Sequence, residues 1–152
     1  MTSHGYTITG DNYFFLNFYQ LPVVNQNEAA GSGTADNFPN FMASQYMFFH
    51  YLQMCRVLRR NACLMKARSI GFSEMMASLA ARMYTVIKKS RTLITCFKDV
   101  YLKGTFSKVD HALTFLNMNA DGFFEPRLVD TVLEIKSGFK VKKDGQFTDD
   151  GW

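Results

Sequence analysis

The order of elements between residues 62 and 97 constrains the fold of this 152-residue chain more than any other feature. Residues 62–65 form a short apolar run, which is typical of a strand buried on both faces. A loop follows, and from Ser73 apolar residues recur at helical spacing, with Glu74 in the first turn. A second apolar run covers residues 92–97. This order predicts a βαβ unit with two parallel strands, and therefore an α/β fold.

The segments before this unit carry other patterns. Residues 6–24 are rich in aromatic and β-branched types, which favour a strand or an extended packed segment that ends near Pro22. Residues 25–37 are small and polar, which predicts a flexible loop. From Phe41 to about Arg59, apolar residues recur at helical spacing and predict a buried helix.

The segments after the unit predict one more helix and a hairpin. The helix runs from about residue 98 to residue 117, with a possible break at Gly104. Residues 131–141 then read as strands, and the K-K-D-G stretch at residues 142–145 reads as a turn.

Composition excludes some classes of protein. With 47% apolar residues the chain can bury a core, and its net charge of +4 is compatible with a polyanionic partner. No apolar run approaches the roughly 20 residues that span a bilayer, and no signal-peptide pattern is present, so we expect an intracellular protein. The three cysteines form no C-x-x-C pair, and we expect buried, reduced thiols instead of a zinc site.

The loop K-A-R-S-I-G-F-S, residues 66–73, has the parts of a phosphate site. Gly71 lets the backbone approach an anion, and Ser73 offers a hydroxyl to magnesium at the start of a helix. The usual lysine after the glycine is replaced by Phe72, but Lys66 can supply the cation from the other end of the loop. Arg68 offers a second cation with forked donors.

The alternative to a phosphate site is that residues 66–73 form an ordinary turn between a strand and a helix. The pattern K-x-x-x-x-G-x-[ST] occurs by chance in roughly one chain in fifteen of this length. Its position between an apolar run and an amphipathic helix removes most accidental matches.

Residues 66–73, followed by EMMASLAARMYTVI and TLITCF, resemble the N-terminal ATPase region of tailed-phage terminase large subunits, the motors that package viral DNA. Some members of that family have a deviant loop with lysine at its start, an arginine inside it and an aromatic residue after the glycine. The upstream stretches YFFLNFYQLPVV and NFPNFMASQYMFFHYLQMC resemble the aromatic lead-in of these proteins. The resemblance covers about residues 6–140.

The resemblance implies a P-loop NTPase-like fold, in which a parallel sheet is flanked by helices. Residues 1–36 would form an aromatic N-terminal segment and a flexible loop. Residues 37–152 would form the N-terminal portion of the ATPase domain, so that the sheet is incomplete and the Walker B acids and the nuclease domain are missing.

The resemblance also implies a site for ATP and magnesium. Lys66 and Arg68 would contact phosphates, Ser73 would hold the magnesium ion, and Gln45 would contact adenine. For Gln45, a surface or packed glutamine is the alternative. The implied nucleotide-binding set is Gln45, Lys66, Ala67, Arg68, Ser69, Ile70, Gly71, Phe72 and Ser73.

The partners implied by the resemblance are double-stranded viral DNA, the portal protein, the small terminase subunit and further copies of the chain in a ring. The implied location is the host cytoplasm, at the procapsid, with no membrane contact. The alternative is a non-catalytic α/β binding or assembly module that has no nucleotide site.

Hydrolysis by such motors needs an Asp-Glu pair after an apolar strand, where it holds magnesium and orients water. From residue 98 onward no run of four apolar residues precedes Asp-Glu. Asp130 and Glu134 each follow only two apolar residues, and are read more simply as solvent-facing groups.

The missing acids lead to a prediction about activity. The purified 152-residue chain should release no phosphate from ATP at a useful rate, because nothing in it would orient the attacking water. A phosphate-release assay with and without magnesium measures this, and magnesium-dependent turnover would contradict the prediction.

Overall fold

The computed structural model describes residues 5, 7–24, 34–67, 70–87, 89–120, 127–131 and 134–137. Within these ranges the chain is mostly helical, with four helices and two pairs of short antiparallel strands. It divides into two compact units, Met1–Met75 and Met76–Trp152, and each is described by itself.

The first helix, α1, covers Gly10–Phe18. It begins at Thr9, whose side-chain oxygen accepts a hydrogen bond from the Asn12 N–H at 3.2 Å. The prediction of an extended segment is therefore wrong here. Aromatic residues favour strands on average, but Phe14 and Phe18 lie four residues apart and stack at 5.6 Å between ring centroids, which suits a helix.

A short antiparallel pair of strands follows α1. Strand β1, Leu21–Val24, pairs with β2, Thr34–Asn37, so that Leu21 lies opposite Asn37 and Val24 opposite Thr34. The end of the predicted extended segment is thus confirmed as a strand. The predicted flexible loop at residues 25–37 is wrong at its last four residues, which form β2, and residues 25–33 lie outside the described residues.

Helix α2 covers Ala43–Val57, which confirms the predicted helix. It ends in a Schellman turn, in which the Arg60 N–H donates to the Cys55 carbonyl at 2.8 Å and the Arg59 N–H donates to the Arg56 carbonyl at 3.1 Å. Arg59 has φ 52°, a left-handed conformation that glycine usually occupies at this position.

A series of aromatic contacts joins α1 and α2 to the start of helix α3, which covers Phe72–Val86. The five rings are, in order of contact, those of Tyr19, Phe15, Phe49, Phe48 and Phe72, and we call these residues the aromatic chain. Successive ring centroids are 5.6, 5.6, 5.3 and 5.5 Å apart. Phe15 and Phe49 are completely buried, so the aromatic chain forms the core of the first unit.

An ion pair also joins α1 to α2. The Arg56 guanidinium binds the Asp11 carboxylate, whose side chain is only 1% exposed, while the Arg56 side chain is 46% exposed. A buried carboxylate is costly unless it is paired. Arg56 therefore lets Asp11 lie inside the first unit.

The predicted strand at residues 62–65 is wrong, because this segment is exposed and forms neither helix nor strand. The Tyr51 hydroxyl accepts from the Cys63 N–H and donates to the Cys63 carbonyl, both at 3.1 Å. A side chain thus occupies the two backbone groups that a neighbouring strand would use. Cys63 is also exposed, as is Cys96, so the expectation of buried thiols is wrong for both.

The predicted strand at residues 92–97 is wrong as well, since no strand is assigned there and Leu93 and Phe97 are 88% and 95% exposed. The described residues contain no parallel pair of strands. The α/β assignment and the P-loop NTPase-like parallel sheet are therefore corrected to a mostly helical architecture with two small antiparallel pairs. Short apolar runs do not distinguish a buried strand from an exposed irregular segment.

In the second unit, helix α4 covers Asp99–Asn119 and confirms the last predicted helix. It continues through Gly104, so the possible break there is not observed. Val109, Ala112, Leu113 and Leu116 are its buried residues, at the spacing of one helical face. On the part of α3 in this unit, residues Ala77, Ser78, Leu79, Ala80 and Ala81 are buried.

The second antiparallel pair consists of β3, Arg127–Asp130, and β4, Ile135–Ser137. The Thr131 N–H donates to the Glu134 carbonyl at 2.9 Å in the connection between them. A hairpin thus forms nearer the N-terminus in the sequence than predicted. The predicted turn at residues 142–145 lies outside the described residues.

The aromatic core predicts the effect of a truncation. Phe15→Ala should lower the free energy of unfolding by about 3–5 kcal/mol, because a fully buried ring is replaced by a cavity. The control is Phe97→Ala, which removes a ring that is 95% exposed. It should change the free energy by less than about 0.5 kcal/mol. Urea unfolding followed by circular dichroism compares the two, and equal losses would contradict the assignment of the core.

Candidate functional site

The loop of residues 66–73 leads directly into α3. Lys66, Ala67 and Ser73 are exposed, whereas Ile70, Gly71 and Phe72 are half-buried. Arg68 and Ser69, which the sequence analysis also assigned to the site, lie outside the described residues. The site is therefore built from the two ends of the loop and from the first turn of the helix.

Gly71 sets the direction in which the chain enters α3. Its carbonyl accepts hydrogen bonds from the N–H groups of Glu74 and Met75, both at 3.1 Å. Its φ is +74°, which side chains rarely tolerate. A Cβ atom at this position would lie 3.7 Å from Gln45 Nε2, an ordinary contact. The backbone conformation, and not a lack of space, therefore requires glycine.

Gln45 reaches the site from the first turn of α2. It is only 5% exposed, and its amide lies against Gly71. Its Oε1 is buried and has no hydrogen-bond partner among the described residues. Gln45 is thus packed, which was the alternative to a contact with adenine, and the adenine contact stays a prediction. A buried acceptor without a donor is costly.

Lys66 lies beside the first residue of α3. Its Nζ is 5.8 Å from the centroid of the Phe72 ring, within the range of a cation–π contact. Phe72 also meets Phe48 in an edge-on contact, with 5.5 Å between the ring centroids. Phe72 therefore packs the start of α3 against α2. Lys66 places a positive charge near this helix start, where the first backbone N–H groups lack partners within the helix.

Glu74 is held in the first turn of α3 by Tyr19. The Tyr19 hydroxyl donates to Glu74 Oε2 at 2.6 Å, and Tyr19 is 1% exposed. Burial raises the pKa of Tyr19 well above its usual value, and the hydrogen bond and the charge of Glu74 add to this effect. Tyr19 therefore stays protonated at neutral pH and remains a donor.

The role of Tyr19 could not be predicted from the sequence. The helix dipole alone favours Glu74 in the first helical turn. The two residues are 55 positions apart, and no local pattern links them. Only the fold of α1 against α2 and the start of α3 brings them together.

The magnesium site implied by the resemblance would depend on Ser73, whose side chain is exposed in the first turn of α3. No group of three or more His, Cys, Asp or Glu side chains in the described ranges could hold a metal ion. The role of Ser73 toward magnesium therefore stays a prediction. Of the two weaker acid candidates, Asp130 ends β3 and Glu134 is exposed beside β4.

The helices that the structure describes include none that is both long and apolar enough to cross a membrane. Comparison of the chain with protein-family models, with curated proteins and with solved structures gave no match. The function is therefore argued from the residues of the chain itself.

The contact between Tyr19 and Glu74 predicts a pH effect on stability. Tyr19→Phe keeps the ring but removes the donor, and should lower the free energy of unfolding by about 1–3 kcal/mol at neutral pH. Because the pKa of Tyr19 is raised in the folded chain, its contribution is complete below the ordinary tyrosine pKa near 10 and is lost as pH rises above it. The variant should therefore lose less stability than the native chain above about pH 10.

Urea unfolding at several pH values between about 7 and 11 measures this difference. Tyr101→Phe is the matched control, since it removes the hydroxyl of a tyrosine that is 63% exposed. The same alkaline slope in Tyr19→Phe and in the native chain would rule out the proposed contact.

Proposed function

We propose that this chain binds ATP through residues 66–73 and is the N-terminal part of a terminase-like large subunit, which in the complete protein drives viral DNA into the procapsid. The observation that carries the proposal is the position of two candidate ligand groups at the start of α3. The Lys66 ammonium lies over Phe72, and the Gln45 amide lies against Gly71.

The chemistry at this helix start suits a phosphate group. The first N–H groups of a helix have no partners within it, and the helix dipole favours negative charge there. Lys66 adds a full positive charge beside Phe72. An anion bound here would therefore interact with both backbone donors and an ammonium group.

Two residues near the helix start also suit the magnesium ion and the adenine base of a bound nucleotide. Ser73 carries an exposed hydroxyl in the first turn, which would bind the magnesium ion. Bound magnesium neutralises charge on the phosphates. We assign the adenine contact to Gln45, whose amide lies against Gly71 at the helix start.

This proposal depends on the loop and the helix start, and not on a parallel sheet. Loops of this kind bind phosphate through backbone N–H groups and a helix terminus, which are local features. A parallel sheet around the loop is therefore not required for these local groups to bind phosphate.

The same proposal includes partners and a location. We propose that the complete protein acts on double-stranded viral DNA together with a portal protein and a small terminase subunit, as a ring of copies in the host cytoplasm. The basic residues Lys89 and Arg91, both exposed, are of the kind that contacts DNA phosphates.

A second candidate is a non-catalytic binding or assembly module without a nucleotide site. It is favoured by the exposure of apolar side chains in the two irregular segments, since Met65 is 97% exposed and Leu93 is 88% exposed. Exposed apolar groups of this size are often covered by a partner.

Binding of a fluorescent ATP analogue in the presence of magnesium separates the two functions. Lys66→Ala should weaken binding by about tenfold or more, because it removes a charged contact to phosphate. Lys66→Arg keeps the charge and should retain most of the binding. Lys103→Ala is the matched control, since Lys103 is an exposed lysine on α4.

Unchanged binding by Lys66→Ala would mean that the nucleotide binds elsewhere, and would contradict the proposed site. A native chain that binds no analogue would favour the module without a nucleotide site. Thermal unfolding of each variant checks that a loss of binding does not come from a loss of fold.

A further inference from the structure

Helix α2 has an apolar face that the fold of the first unit leaves uncovered. One side of α2 is buried through Gln45, Phe48 and Phe49. On the opposite side, Met47, Met54 and Leu58 are 68%, 61% and 63% exposed. These three residues are separated by seven and four positions, so they lie in one line along the helix. We call them the outer stripe.

The outer stripe is long enough to be a docking surface for a helix. From Met47 to Leu58 it spans about 16 Å, or three helical turns. Val57, which is 71% exposed, widens it at one end. Methionine side chains are flexible and polarisable, and they are common on surfaces that bind apolar faces of partner helices. Large apolar surfaces that remain exposed usually mark an interaction site.

Positive charge lies at the C-terminal end of the outer stripe. Arg59 and Arg60 are exposed and form no salt bridge with any residue in the described ranges. Between Asp36 and Glu74 the sequence contains no acidic residue. The Schellman turn fixes the backbone of Arg59 and Arg60 directly after the helix. The surface thus combines apolar side chains with exposed basic ones.

We propose that the outer stripe binds an amphipathic helix of a partner protein, in which aspartate or glutamate side chains flank the apolar residues. Such a helix would cover the methionines and Leu58 with its own apolar side chains. Its carboxylates would meet Arg59 and Arg60. A nucleic acid backbone would satisfy the arginines but would leave the methionines in water, so an acidic helix fits both features better.

This surface is separate in its residues from the nucleotide site. None of the outer-stripe residues belongs to residues 66–73, and Gln45 lies on the buried side of α2. Loss of nucleotide binding and loss of helix binding can therefore be observed independently.

Fluorescence anisotropy tests the proposal with a labelled synthetic peptide of about 18 residues, which has leucines along one helical face and glutamates beside them. A second peptide has every glutamate replaced by lysine. The acidic peptide should bind the full-length chain at least about tenfold more tightly than the lysine peptide, and added salt should weaken its binding.

Substitutions in the chain should then separate the apolar and charged contributions. Met54→Glu should weaken binding of the acidic peptide by about tenfold or more. Arg59→Gly should weaken it by about fivefold and flatten its salt dependence. Glycine suits the left-handed conformation of residue 59, so this variant should fold normally. Met118→Glu is the matched control, since Met118 is 78% exposed on α4.

Several results would overturn the proposal. These are equal binding of the two peptides, no binding of either, or unchanged binding of the acidic peptide by Met54→Glu. If neither peptide binds, binding to phosphatidylserine vesicles or to duplex DNA is measured. Binding that Met54→Glu abolishes would assign the surface to a membrane or to DNA instead. A dimer that Met54→Glu converts to a monomer in sedimentation would assign it to a second copy of the chain. Met54→Ser, which adds no charge, replaces Met54→Glu if circular dichroism shows that the glutamate variant is unfolded.

Discussion

The contacts of the aromatic chain determine how the first unit is built, and both ends of the aromatic chain return to the same helix start. At one end Phe72 is itself the first residue of α3, and at the other end the Tyr19 hydroxyl binds Glu74 in the first turn. The rings in between belong to α1 and α2. The position of the α3 start is therefore set by core packing, and the same contacts fix where the preceding loop ends.

This arrangement explains why an aromatic residue stands where phosphate loops usually carry lysine. The ring of Phe72 meets Phe48 on one side and the Lys66 ammonium lies over it. A lysine at position 72 would lose the contact with Phe48 and would bring a charge toward a buried ring, which is unfavourable. Phe72 thus packs against the core, and Lys66 supplies the positive charge beside the helix start.

Three of the described helices could be predicted from the sequence, whereas the aromatic pattern over α1 predicts an extended segment and the apolar runs at residues 62–65 and 92–97 predict strands that do not form. Of the described strands, β1 lies within the predicted extended segment. Periodic apolar spacing over 15 residues or more identified α2, α3 and α4, because long amphipathic patterns are specific to helices. The apolar run at residues 62–65 has no such pattern, and its backbone is occupied by a tyrosine hydroxyl. The spacing within the loop predicts a site at Lys66, Gly71 and Ser73, and their binding role stays a prediction. The contact of Tyr19 with Glu74 depends on tertiary packing, which local spacing does not encode.

The exposure of methionine side chains makes the surface of the chain sensitive to oxidants. Met47, Met54 and Met65 are 68%, 61% and 97% exposed, so peroxide in solution reaches their sulfur atoms directly. Conversion to the sulfoxide adds a polar oxygen to a flexible apolar side chain. Oxidative damage would therefore turn the uncovered side of α2 hydrophilic, while the fully buried rings beneath α2 would keep their contacts.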